Sequence, residues 1–146
     1  ETDSTNLDAD IGLSTSDETD VNVVGRVAFT YAQRRSELGV NLRQTATVDE
    51  DGNNTLNTFA GLNFRQSLTR RSSVSFGLNA GLRRNLDVDD DDTERAGFTA
   101  QYTQSLTPDW SWNAGYRGRY ERGANDEART SNAVFVGVRR SFASTR

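Results

Sequence analysis

Histidine, cysteine and lysine do not occur in this 146-residue chain, and proline occurs once. Without histidine, the familiar nucleophile–base triads and histidine-ligated metals cannot be built. Without cysteine there is no disulfide framework, no zinc–thiolate cluster and no lipid-modified N-terminal cysteine. No run of about 18 apolar residues exists, which excludes a membrane-spanning helix. Apolar residues make up 34% of the chain and mean hydropathy is −0.75, values that alone would suit a polar soluble or partly disordered protein. The length suits a single domain over residues 1–146. The opening Glu1-Thr2-Asp3-Ser4 carries no signal-peptide pattern, as expected of a processed mature chain.

What is present is alternation. In Val74-Ser75-Phe76-Gly77-Leu78-Asn79-Ala80-Gly81-Leu82-Arg83 every even position is apolar and every odd one is Ser, Gly, Asn or Arg. Successive strand residues point to opposite faces, so such a segment separates a greasy face from a wet one. The same period predicts strands over about 5–15, 21–32, 37–48, 56–67, 74–83, 94–106, 110–122 and 131–142. Alternation hides apolar content in every second residue, which reconciles it with the low hydropathy. The pattern predicts an all-β, eight-stranded antiparallel up-and-down transmembrane β-barrel. Nine or so tilted residues per strand give an apolar belt roughly 23 Å high.

The connections fall into two classes. Three are short, Gln33–Ser36, Ser67–Ser72 and Ser105–Asp109, and the first two are basic. The other four are long and acidic, with Asp17-Glu18-Thr19-Asp20, Asp49-Glu50-Asp51, Asp87 through Asp92, and Asp126-Glu127. Alternate turns of an antiparallel barrel lie at opposite ends, so one rim is short and basic and the other long and acidic. Gln66-Ser67-Leu68-Thr69 and Gln104-Ser105-Leu106-Thr107 both end a strand, and each precedes a strand with an Asn-Ala-Gly core. This is a weak internal repeat of hairpin units, or convergent turn chemistry.

Alternation does not say which face meets lipid, since a soluble barrel shows the same period. Three features favour the membrane. The polar parity mixes glycine with arginine, as a narrow interior filled by long side chains beside empty neighbours requires. Tyr31, Phe64, Phe76, Tyr102, Trp110 and Phe142 gather on the apolar face near the short-turn rim, as an interfacial aromatic girdle would. The acidic loops lie opposite that girdle. Against it, Gln44, Gln66, Gln104 and Arg140 fall on the apolar parity, and Gln44 lies far from the rim.

The chain resembles the small eight-stranded outer-membrane β-barrels of Gram-negative bacteria, the OmpA/OmpX-type superfamily, in pattern along its whole length. The last strand, Ser131 to Phe142, looks like the C-terminal assembly signal of that family, with Gly137 and Phe142 matching in type and spacing. Phe135 and Arg140 depart from the signal, and four residues follow the aromatic. The resemblance implies a bacterial outer-membrane location, with the lipid bilayer as partner. The enzymes that share this architecture rely on histidine, so this chain is expected not to be an enzyme.

The polar parity holds the candidate site: Asp8, Asp10, Arg26, Glu37, Arg43, Arg65, Arg83, Arg95, Arg117, Arg119, Glu121 and Arg139. Hairpin geometry predicts that Glu37 meets Arg65, that Glu121 meets Arg95, and that Asp8 meets Arg139 where the barrel closes. This set reads as a polar plug, or alternatively as a narrow arginine-lined pore. The Asp-x-Asp-x-Asp run at Asp87, Asp89 and Asp91 fails the calcium-loop pattern, since Asp92 stands where Gly is needed and Phe98 where Glu is. Loose divalent binding there is the only metal expectation, and no cofactor is expected. Acidic loops disfavour nucleic acid and offer a surface to a protein partner, with oligomeric state open. The expected function is therefore a structural or interaction protein of the outer membrane; the alternative of another class is a soluble β-barrel or sandwich.

Overall fold

The computed structural model describes residues 3–16, 20–48, 54–85, 92–123 and 127–141. Eight strands form one sheet: β1 (Ser4–Ser16), β2 (Asp20–Ala32), β3 (Ser36–Val48), β4 (Asn54–Ser67), β5 (Ser72–Asn85), β6 (Thr93–Ser105), β7 (Trp110–Arg122) and β8 (Ala128–Arg140). They pair in chain order and every neighbouring pair is antiparallel. Each strand coincides with a stretch of period-two sequence, so the alternation settled both the number of elements and their order. The acidic segments 17–19, 49–53, 86–91 and 124–126 lie outside the described residues, and so does Phe142.

Two of the three short turns share one backbone pattern, and the third is closed by a single bond from Gln33 N–H to the Ser36 carbonyl at 2.7 Å. Leu68 and Thr69 both donate their backbone N–H to the Ser72 carbonyl (2.9 and 3.2 Å), and Leu106 and Thr107 donate to the Trp110 carbonyl (2.9 and 3.3 Å). In each turn the threonine hydroxyl accepts a backbone N–H, from Arg71 on Thr69 and from Trp110 on Thr107, both at 3.1 Å. The repeated Gln-Ser-Leu-Thr therefore codes one turn used twice. Neighbouring turns are also tied together: Ser67 N–H donates to the Arg35 carbonyl, Ser105 N–H to Arg71 and Ser141 N–H to Asp109 (2.7, 2.7 and 2.8 Å).

Among the described residues no hydrophobic side chain is buried. The apolar parity forms one continuous face, with rows such as Leu7, Phe29, Val40, Leu62, Leu78 and Phe98 running from strand to strand. A ladder from β8 to β1, which closure into a barrel requires, is not among the pairings of the described residues. Edge residues consequently have neighbours on one side only: Ile11 is 81% and Val134 79% exposed, against 50% for Leu78 and 40% for Val40 in the middle.

The rows are staggered. The row through Ser4, the first residue of β1, passes through Glu37, Ser75 and Gly115, which lie one, three and five residues into β3, β5 and β7. The sheet thus climbs by about two residues per hairpin, in the manner of a barrel's shear.

Gln44, the polar residue far from the rim on the apolar parity, has a local cause. The β2–β3 ladder stops at Gly25 opposite Gln44, whereas β3–β4 pairing continues to Val48 opposite Asn54. Past the break, Gln44 Nε2 donates to the Val23 carbonyl at 2.9 Å, and Gln44 Oε1 accepts from the Thr58 hydroxyl at 3.3 Å. Its amide replaces the missing ladder bond, because an unpaired backbone carbonyl is costly away from water. Gln104 accepts from the Tyr102 hydroxyl at 3.1 Å, and Arg140 lies over the Trp110 ring at 5.2 Å, so both are used at the rim.

Removing the turn hydroxyl with Thr107→Val is expected to cost about 1 kcal/mol of stability, the net value of one hydrogen bond. Thr69→Val should cost at least as much, because Thr69 also bonds the Ser72 hydroxyl at 2.7 Å. Urea unfolding midpoints of the two variants check this.

Candidate functional site: the polar face

All twelve charged residues expected to share a face do so by strand register. One row crosses the whole sheet as Asp10, Arg26, Arg43, Phe59, Gly81, Arg95, Glu121 and Arg129. Glu121 and Arg95 stand opposite each other and form an ion pair at 3.1 Å, with a second contact from Arg95 Nε at 3.2 Å. Glu37 and Arg65 also stand opposite each other, but they are not among the ion pairs of the described residues. Asp8 stands opposite Ala28, and an Asp8–Arg139 ion pair is not among those of the described residues. Arg26 and Arg43 face one another directly, a like-charge juxtaposition, and Asp10 stands opposite Arg26 on the other side.

The glycines of this face do different work from that expected of them. Rather than mainly giving room to arginine, four of them lie opposite asparagine: Gly39–Asn63, Gly61–Asn41, Gly97–Asn79 and Gly137–Asn113. In each pair the amide leans across the neighbouring strand into the space a side chain would fill. A Cβ on Gly39 would sit 2.5 Å from Asn63 Oδ1, and one on Gly97 would sit 2.5 Å from Asn79 Oδ1. Asparagine is short enough to fold over the adjacent strand, whereas arginine reaches past it.

Two phenylalanines also occupy this parity. Phe135 lies against Gly115, with Arg117 over its ring at 5.7 Å, and Phe59 stands opposite Gly81. Arginine and ring stack here as a cation–π pair. Around Gly81 the face is hollowed by about 470 Å³, lined by Asn57, Phe59, Asn79, Arg83, Thr93 and Arg95. Sequence reasoning passed over Phe59 and the Asn–Gly pairs, and met Phe135 only as a departure from the last-strand signal. Their signal was there: asparagine and glycine recur at facing positions once the register is known.

The opposite, apolar face carries its own groove of about 690 Å³, where Ala60, Ala80 and Ala96 line up across three strands between rows of larger residues. Toward the short-turn rim lie Tyr31, Phe64, Phe76, Tyr102 and Trp110. Phe64 and Phe76 stack at 6.5 Å, and Tyr102 packs on Trp112 at 5.5 Å, which adds a second tryptophan to the group. The Tyr31 hydroxyl accepts from Gln33 at 2.7 Å. Asp87, Asp89 and Asp91 lie outside the described residues, and no metal-ligating cluster occurs among the described ones. Compared with protein-family models, curated proteins and solved structures, the chain matches none.

Gly97→Val is expected to destabilise the fold by about 1–3 kcal/mol through overpacking against Asn79. Asn79→Ala in the same chain should recover most of that loss. A double-mutant cycle on unfolding free energy measures the coupling; additive costs would show that the two do not touch.

Proposed function

We propose that this chain is a transmembrane β-barrel of the bacterial outer membrane, of the small eight-stranded type its pattern resembles. Its apolar face meets lipid, and its arginine- and asparagine-rich face surrounds a narrow, plugged interior. It is non-enzymatic, serving as a structural or interaction protein through its acidic outer loops. The observation that carries this reading is the predominantly apolar face that runs across all eight strands, with no buried hydrophobic side chain behind it among the described residues. Soluble monomers rarely leave apolar patches of more than a few hundred Å² uncovered, whereas a bilayer covers such a face completely. Phenol and indole rings toward one rim, half-buried apart from the exposed Trp110, with tyrosine hydroxyls bonded to rim glutamines, suit the boundary between hydrocarbon and headgroups.

The stagger supports closure and proposes its register. Two residues per hairpin make about eight around eight strands, a shear known for closed eight-stranded barrels. The row that leaves β1 at Ser4 reaches β8 at Phe135, and on this shear it returns to β1 at Gly12. Counting antiparallel from there, Ile11 faces Val136, Asp10 faces Gly137 and Asp8 faces Arg139. The most exposed apolar residues of both edges then cover one another.

Cysteines at Ile11 and Val136 would be the only thiols in the chain, and in detergent or lipid they are expected to form an intramolecular disulfide. Exclusively intermolecular cross-links would instead mean that the edges pair between copies. Leu78→Arg should weaken folding into a bilayer by roughly 2–4 kcal/mol, as a charge at mid-membrane depth does. Heat-dependent gel mobility after vesicle refolding reports it, and an unchanged stability would put Leu78 away from lipid.

A further inference from the structure

The short-turn rim combines three properties that the barrel reading does not use. It is cationic: Arg34, Arg35, Arg70, Arg71, Arg139 and Arg140 stand against Asp3, Glu37 and Asp109. Its turn residues are exposed, and Arg35, Arg70 and Arg71 take part in no ion pair among the described residues. It also presents apolar side chains at equivalent turn positions, Leu68 and Leu106, 46% and 53% exposed.

The arginines are held on a fixed frame. The carbonyls of Arg35 and Arg71 are each taken by a serine N–H of the next hairpin at 2.7 Å, so adjacent turns are bonded to one another. Beneath them lie Tyr31, Tyr102, Trp110 and Trp112, with Arg140 over the Trp110 ring. Charged and leucine-bearing turns are therefore followed along the strands by amphipathic rings, as headgroups are followed by the interfacial and acyl layers in one leaflet.

We infer that this rim docks on anionic phospholipid headgroups, with the arginine pairs 34–35 and 70–71 binding lipid phosphate. A guanidinium fork matches phosphate oxygens at two points, and its charge cannot be shed. Each basic residue near an anionic membrane surface is worth roughly a fivefold gain in partitioning. The acids of the chain concentrate in the long connections at the other end, so the molecule is electrically polar along its strands. Anionic lipid attracts one end and repels the other. The inference rests on the transmembrane reading, since the rim meets headgroups only if the strands span the bilayer.

The test refolds the full chain from denaturant into phosphatidylcholine vesicles, with and without added phosphatidylglycerol, and scores heat-dependent gel mobility. Wild type is expected to insert at least about tenfold faster when phosphatidylglycerol is present. The gain should vanish near 1 M salt, where the screening length falls to about 3 Å. It should also vanish in the variant R34Q/R35Q/R70Q/R71Q, which still inserts into phosphatidylcholine at the wild-type rate. Excess inorganic phosphate should not abolish the gain, which separates a lipid surface from a free-anion site; its abolition would overturn the lipid assignment. An equal response of wild type and variant to phosphatidylglycerol would overturn the inference alone. Failure to insert into either vesicle would overturn the barrel reading and this one together.

Discussion

Lateral backbone hydrogen bonding carries this fold. With no hydrophobic side chain buried among the described residues, cohesion comes from the ladders between neighbouring strands and from whatever medium covers the apolar face. An ordinary soluble domain rests on the opposite order, where apolar burial drives folding and hydrogen bonds are kept from being lost. In water a sheet of this kind would expose both unpaired edges and a greasy surface, and such sheets associate. In hydrocarbon the greasy surface becomes favourable because lipid covers it, whereas the two edges would have to pair, since a bilayer demands satisfied backbone groups.

The polar face solves a different problem. If the sheet closes as proposed, the inside of an eight-stranded barrel leaves little height for side chains. Asparagine opposite glycine fills such a layer thinly, one amide to two strands, as in Asn79 over Gly97. Arg26, Arg43 and Arg95 share the row beside the Asn41–Gly61–Asn79–Gly97 row. The Arg95–Glu121 pair is well exposed on both sides, so it adds little to stability and more to the choice of register.

Most of the scaffold was legible from the amino-acid order. Period two located the eight strands, and the positions of Glu37, Arg65, Arg95 and Glu121 relative to the turns gave the right cross-strand neighbours. Facing, however, is not contact. Glu37 and Arg65 share a register position without an ion pair, because long side chains have rotamers that register does not specify. Gln44 was unreadable for another reason: its role depends on where the β2–β3 ladder ends, a tertiary event with no local signature. Phe59 and Phe135 on the wet parity depend on neighbouring glycines: the Phe135 ring lies against Gly115 of the adjacent strand, and the Phe59 ring near Gly61, two residues along its own strand.

The twice-used turn has an evolutionary consequence. Gln66 and Gln104 begin the same four-residue segment 38 positions apart (104 − 66), a distance that contains one complete pair of strands. Each copy ends in the same hydrogen-bonded closure and hands its chain to the next strand in the same geometry. Such a unit can be copied or deleted within a gene without disturbing the connections on either side. The width of such a sheet is a quantity that tandem duplication changes in steps of two strands.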